Sequence, residues 1–260
     1  MSSNTSPFTA FRARLRQGPP PIGVAVSMTD PMVSEALADS VDFLWIDLEH
    51  NALSRQALQN HLLAGRGKSV PVVVRVPDST APTLKPLLDS GVEGVVVPQV
   101  RSIAEVESLV ENCMYPPAGK RGMGPRIPSR YGRRGGPAYV QQANDELFLS
   151  VMIETAEALE AIDTIVQIKR LDSVVIGPYD LSGSLGILGD VEHPMMVKAY
   201  KRIIATAVEA GIFVGCGAPA DVACGRSMID LGVQWLQLGS DFELMIQRMD
   251  ELRKQVKRAS

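Results

Sequence analysis

Cysteine is scarce in this chain. Its three thiols, Cys113, Cys216 and Cys224, form no CxxC pair and are too few for a disulfide framework among 260 residues. A reduced, cytoplasmic setting is the simplest expectation. An excess of charge of one sign is missing too: 26 Lys and Arg stand against 29 Asp and Glu, a formal net charge of −3. No overall basic field exists to hold nucleic acid or an anionic membrane. No segment approaches the roughly 18 apolar residues that a membrane span needs. The N-terminus, MSSNTSPFTAFRARLRQG, has no continuous apolar stretch and reads as neither signal peptide nor anchor. GxGxxG and GxxxxGKS/T fingerprints are absent, so a nucleotide cofactor has no support.

What the chain does have is rhythm. Short β-branched runs at 22–26, 43–48, 70–76, 94–100, 148–153, 173–176, 212–214 and 235–238 are nearly continuous in apolar residues. That pattern suits parallel strands covered on both faces. Amphipathic stretches of helical length lie between them, at 31–39, 54–66, 81–89, 102–112, 155–168, 195–210, 219–230 and 241–257. Eight strand–helix units predict an α/β fold, the (β/α)8 or TIM barrel, read as one domain over residues 1–260 with a short helix at 8–17 in front. An open doubly wound sheet is the alternative. One spacing is irregular: residues 115–147 separate helix and strand by about thirty positions, long for such a connection. Its first half is rich in Gly, Pro and Arg. Lys120, Arg121, Arg126, Arg130, Arg133 and Arg134 there read as a solvated loop, or as a surface for an anion or a neighbouring subunit.

In a parallel barrel the chemistry sits at the C-terminal strand ends. Four of these ends carry groups that packing alone would not select. FLWIDLEH places Asp47, Glu49 and His50 together, VPVVVRVPD puts Arg75 in an apolar run, VMIET ends on Glu154, and VVIGPYDLS leads to Asp180. Glu154 and Asp180 are carboxylates on neighbouring strands, which repel unless protonated or bridged by a cation. Oxygen ligands suit Mg²⁺ or Mn²⁺. Taken singly, each acid reads equally well as a cap or an ion-pair partner. Arg75 needs a buried partner, Asp47 or Glu49, and a fixed cation also suits a developing enolate oxygen; the two roles coexist. His50 is the one histidine at a strand end and the natural proton carrier. His61 and His193 read as surface residues. None of the eight lysines is placed inside the barrel for a Schiff base. The glycines of VGCGAP and LQLGSD read as tight turns or as a phosphate cradle, and Cys216 as core.

In this order, WIDLEH, VVVRV, YPPAGKRGMG, VMIET and VVIGPYDLSGSLG resemble the HpcH/HpaI class II (metal-dependent) pyruvate aldolase family, from about residue 20 to 245. The resemblance implies a (β/α)8 barrel using a divalent ion, Mg²⁺ or Mn²⁺ first and Co²⁺, Ni²⁺ or Zn²⁺ as further candidates. It also implies a homo-hexamer, a dimer of trimers, with the helix at 241–257 exchanged between subunits. By motif, His50 is the general base and Arg75 the transition-state stabiliser. Glu154 and Asp180 are the metal ligands. The Gly177–Pro178–Tyr179–Asp180 turn holds the oxo-acid carboxylate through backbone N–H groups. Asp89, in PLLDSG, raises the basicity of the histidine. Met152 stands where the family often has Gln and shares a strand face with Glu154. Asp89 falls at the end of its helix, so it reaches a neighbour's His50; Asp47 is the alternative within one chain.

The implied reaction joins or splits a pyruvate-like 2-oxo acid, pyruvate or hydroxypyruvate, and an aldehyde through an enolate. Two other readings stand beside it. One is a related oxo-diacid decarboxylase or CoA-ester lyase; the other is a non-catalytic barrel that binds a phosphorylated metabolite.

Overall fold

The structure is a computed structural model, and it describes residues 6–258. Helix α1 (Pro7–Arg16) precedes β1 (Ile22–Val26), α2 (Pro31–Leu37), β2 (Phe43–Asp47), α3 (Arg55–Lys68), β3 (Val72–Arg75), α4 (Ala81–Asp89), β4 (Gly94–Val97) and α5 (Ile103–Cys113). After the long connection come α6 (Gly136–Glu146), β5 (Phe148–Ile153), α7 (Ala156–Glu160), α8 (Ile162–Ile165), β6 (Ser173–Ile176) and α9 (Pro178–Ser184). The last elements are α10 (Pro194–Glu209), β7 (Phe213–Ala218), α11 (Val222–Leu231), β8 (Trp235–Ser240) and α12 (Asp241–Arg258). The eight strands are all parallel and close in sequence order, with β8 returning to β1 at Ile22↔Leu236. The expected TIM-type barrel is the fold. No helix among the described residues is long and apolar enough to cross a membrane.

Closure divides each strand into two faces. Residues pointing outward, such as Leu44, Ile46, Val72, Val74, Leu149 and Val151, are buried under the helices. Residues pointing inward form a second cluster of Phe43, Trp45, Val73, Val96, Phe148, Met152, Val175 and Trp235. Helix α1 closes the lower end of this inner core by inserting Phe8 and Phe11. Ring centroids lie 5.6 Å apart for Phe8–Phe148, 5.6 Å for Phe11–Phe43 and 6.1 Å for Phe11–Trp235. Gly94 makes room for the plug: a Cβ there would meet Phe8 at 2.2 Å. Phe11 is 2% exposed, so Phe11→Ala is expected to cost about 3–5 kcal/mol of stability. Urea denaturation at unchanged slope measures it.

Several expectations are corrected by packing. The helix at 155–168 is broken at Ala161, whose carbonyl accepts from Thr164 N–H at 3.0 Å in a tighter turn. Strands β7 and β8 run past the expected ends, because Gly215 is a strand residue that accommodates the Trp235 ring; an added Cβ would sit 2.2 Å from it. His61 is not at the surface. It lies on the inward stripe of α3 (Ala57, Leu58, His61, Leu62, Gly65), fully buried, with Nδ1 2.8 Å from Ser34 Oγ of α2. Burial pushes its imidazole below the usual range. The basic loop is not uniformly solvated: Arg121 is buried over the Tyr115 ring at 4.4 Å, and Lys120 pairs with Glu111. Arg126, Arg130 and Arg133 are exposed. Cys216 is buried core as expected, and burial pushes its thiol up.

Candidate active site

The inward parity that carries Phe43 and Trp45 up β2 brings Asp47 next, at the strand's C-terminal end. The register pairs Asp47 with Arg75, the last residue of β3. Two side chains on one face at one level must meet, and they form a fork. Arg75 Nε donates to Asp47 Oδ1 at 2.9 Å and Nη2 donates to Oδ2 at 2.8 Å. The N–H groups of Glu49 and His50 donate to Asp47 Oδ1 at 3.0 and 3.4 Å, and Asn51 Nδ2 donates to Oδ2 at 2.9 Å. Burial alone would raise the Asp47 carboxyl. The Arg75 fork and the two backbone donors outweigh it and hold the group below its ordinary value. The guanidinium lies 5.9 Å from the centre of the Trp45 ring, with Nη1 4.0 Å from Met152 Sδ. Met152 is buried and floors the site.

Above Met152, β5 passes into Glu154, 1% exposed. Its Oε1 accepts from the Gln99 N–H at 2.7 Å, while Oε2 is buried with no hydrogen-bond partner. Burial pushes this carboxyl up to about 7. The Gln99 N–H acts against that rise, Asp180 and Glu49 add to it, and Arg75 opposes it. Gly177 is what leaves the unpartnered oxygen its space: a Cβ there would lie 2.3 Å from Glu154 Oε2 and 3.0 Å from Met152 Cε. Pro178 follows at the first position of α9, and Asp180 is exposed in its first turn. First-turn N–H groups such as those of Tyr179 and Asp180 have no partner within their helix.

Glu49 sits between the two halves. Its Oε2 is 3.0 Å from Arg75 Nη1, an ion pair outside hydrogen-bond alignment, and 3.5 Å from His50 Nε2. Burial raises its carboxyl, while Arg75 and His50 pull it back. The His50 side chain is 62% exposed, at the mouth. Asp47, the expected partner within one chain, meets His50 at the backbone N–H; the ring faces Glu49 instead. Asp89 ends α4 at the opposite end of the barrel, where Arg121 Nη2 donates to it at 3.2 Å. Asp47, Arg75, Met152, Glu154, Gly177 and Asp180 are therefore one site, with His50 on its rim and Asp89 elsewhere in the chain.

Three contributors escaped the sequence reading as site residues. Glu49, inside WIDLEH, stands in the sequence as a strand-end acid and a partner for Arg75, with no role of its own. Asn51 follows that motif directly and reaches back to Asp47 Oδ2, a contact that adjacency to the motif is the only sequence clue to. Gln99 acts through its backbone N–H at a positive φ of 54°, which no side-chain pattern reveals.

The donor set suits a hard divalent cation. A buried, unpartnered carboxylate oxygen beside a second acid is what such an ion would satisfy. Among the described residues no three His, Cys, Asp or Glu side chains are gathered to enclose a metal. An ion here would thus rest on two carboxylates and keep positions for water or substrate.

Residues 25–248 match the family described as HpcH/HpaI aldolase/citrate lyase. The chain belongs to this family. Among its relatives, a 4-hydroxy-2-oxovalerate aldolase of Novosphingobium aromaticivorans is 33% identical over 242 residues, 91% of this chain and 90% of that protein. A hydroxypyruvate/pyruvate aldolase of Pseudomonas aeruginosa is 33% identical over 248 residues, 95% of this chain and 92% of that one. The crystal structure of an HpcH/HpaI aldolase from Desulfitobacterium hafniense superposes with a TM-score of 0.88 at 29% identity, covering 95% of this chain and 96% of that chain. The chain is an enzyme of the aldolase type, and the reading as a non-catalytic binding barrel falls away.

Proposed function

We propose that this barrel, acting as one domain, makes or breaks the carbon–carbon bond between a pyruvate-like 2-oxo acid and an aldehyde. The observation that carries the reading is the unpartnered Glu154 oxygen, spared by Gly177 and set beside the Arg75 fork. Glu154 and Asp180 hold a divalent cation, Mg²⁺ or Mn²⁺ by their oxygen chemistry. When bound, the ion supplies Lewis acidity toward the oxo acid. First-turn N–H groups at Tyr179 and Asp180 orient the substrate carboxylate. Arg75, fixed by Asp47, polarises the C2 carbonyl and then stabilises the enolate oxygen. His50 takes a proton from C3, the resulting carbanion adds to the aldehyde carbon, and His50 returns the proton to the new alkoxide. The retro-aldol direction reverses each transfer. General acid–base help of this kind is worth about 10²–10⁴ in rate.

The enzyme works in the cytoplasm as a homo-hexamer, a dimer of trimers, on this reading. In that assembly Asp89 approaches a neighbour's His50. An exchanged α12 would cover its exposed apolar stripe of Phe242, Met245, Ile246, Met249 and Val256. Exchange of the methyl protons of pyruvate for deuterium tests the enolate step without knowledge of the aldehyde. The expected result is exchange that requires Mg²⁺ or Mn²⁺ and is lost in EDTA and in His50→Ala. Exchange unchanged by EDTA would overturn the reading. The family description also includes citrate lyase, so an oxo-diacid or CoA-ester lyase using the same enolate is the second reading. Saturable thioester cleavage that depends on the exposed Arg126, Arg130 and Arg133 would favour it.

A further inference from the structure

The groups assigned to the oxo acid stand at the ends of β3 and β5 and in the turn after β6. An incoming aldehyde is left with the wall made by β7, β8 and β1, which lie side by side in the closed barrel. The inward face of that wall can be followed upward. Gly23 lies against the Phe43 ring, Gly215 against Trp235, and Ala25 packs on the inner cluster. Two residues beyond Trp235, the same face of β8 carries Gln237. Its strand partners are Gly23 on β1 and Gly217 on β7, so no side chain flanks it at its own level. The Trp235 and Trp45 rings meet at a centroid distance of 6.0 Å. Gln237 stands one inward step above Trp235 as Asp47 stands one step above Trp45, which sets the amide on the same storey as the candidate active site.

An amide inside a barrel needs its polar atoms satisfied. Gln237 Nε2 donates to the Gly239 carbonyl, which fixes the group and leaves Oε1 on offer. That oxygen accepts from no donor among the described residues and is open to solvent on a half-buried side chain. Gly217 keeps it clear: a Cβ there would lie 3.1 Å from Oε1. The polar side chains that follow on this wall are already spent on each other, since Asp241 accepts from the Ser27 N–H at 2.9 Å and from Ser27 Oγ at 2.7 Å. A carboxamide held in this way presents an acceptor. Its complement is a donor such as a hydroxyl, and neither a carboxylate nor a methyl group fits that description.

We propose that Gln237 is a specificity-determining residue for the aldehyde: its Oε1 accepts a hydrogen bond from a hydroxyl that the aldehyde carries. This rests on the aldolase reading of the site and narrows its second substrate to a hydroxyaldehyde. An apolar aldehyde leaves the amide oxygen to water and gains nothing there. A hydroxyaldehyde exchanges its own hydration for one neutral hydrogen bond, which is worth about tenfold in kcat/KM. The C3 hydroxyl of hydroxypyruvate is the other hydroxyl within the same chemistry, so the test varies the oxo acid as well.

Glyceraldehyde and propionaldehyde are three-carbon aldehydes that differ in their hydroxyls. With pyruvate as the oxo acid, the quantity measured is kcat/KM for glyceraldehyde divided by that for propionaldehyde, a quotient that cancels the folded fraction and the enolate step. Gln237→Met, similar in length and without the acceptor, should lower the quotient about tenfold against the unaltered enzyme. Gly217→Ala keeps Gln237, crowds its Oε1 and should move the quotient in the same direction; it decides alone if Gln237→Met does not fold. A quotient unchanged by Gln237→Met overturns the proposal. An effect of Gln237→Met that appears only when hydroxypyruvate replaces pyruvate overturns it too, because the bond then belongs to the oxo acid. Methyl-proton exchange of pyruvate in the unaltered enzyme keeps the two readings apart. Exchange with an unmoved quotient sinks the Gln237 assignment alone, and absence of exchange sinks the aldolase reading together with it.

Discussion

Glu154→Gln is expected to leave the barrel folded, to abolish tight divalent-cation binding and to lower turnover by at least about 10³-fold. The Lewis acidity forgone is worth several kcal/mol, and each 1.36 kcal/mol is a factor of ten in rate. Gln keeps the shape beside Gly177 and the acceptor for the Gln99 N–H, so the loss isolates charge. The pH behaviour of the metal-free protein separates this from misfolding. Glu154 has its carboxyl raised to about 7 from an ordinary 4.5. Between those values the folded chain holds a proton that the unfolded chain has released. Stability from this group is therefore complete in acid and is lost as pH rises through about 7. Gln has no proton to lose, so the variant should melt above the parent at pH 8 without metal, and the difference should shrink through the window between 4.5 and about 7 and vanish below about pH 4. Cation binding to the parent should release up to one proton at pH 6 and little at pH 8.5, read by calorimetry in buffers of different ionisation heat. Cation-dependent turnover surviving in Glu154→Gln would refute the assignment.

Arg75→Met should damage fold and function together. It strips the cation from Asp47, whose side chain is 8% exposed in the unaltered protein and faces the barrel interior. Removing one partner of a buried pair costs about 3–5 kcal/mol, seen as a lower denaturation midpoint. Turnover should fall about 10²–10³-fold, the usual loss on removing an oxyanion donor. The double variant Asp47→Asn, Arg75→Met tells the effects apart. With the uncompensated charge gone, most of the stability should return while activity stays lost. Activity returning with stability would mean that Arg75 is only a strut.

The barrel was legible because its signal is redundant: eight apolar runs at regular spacing leave few alternatives, and Asp47, Arg75, Glu154 and Asp180 stand out as charges at strand ends. What was not legible depends on atoms that a residue code does not display. Gln99 contributes a backbone N–H, and Gly177 contributes the absence of a Cβ. Gly215 seemed a turn because glycine usually marks one, but here it yields space to Trp235. His61 misled in the opposite way: an ionisable residue on a helix suggests the surface, yet its place on the 57–58–61–62–65 stripe of α3 points it at Ser34. Asp89 shows where a single chain stops being enough, since its helix carries it away from the groups it was expected to serve.

The stopper formed by Phe8 and Phe11 has a kinetic meaning. With the packed inner cluster above it, it closes the barrel from below, so Met152 and Glu154 are buried at the deep side of the site and His50 is exposed at its rim. Cargo seated deepest must enter first and depart last. On the proposed reaction, with the oxo acid held at Glu154 and the aldehyde nearer His50, retro-aldol turnover is expected to release its aldehyde first, an order imposed by architecture that product-inhibition patterns would read.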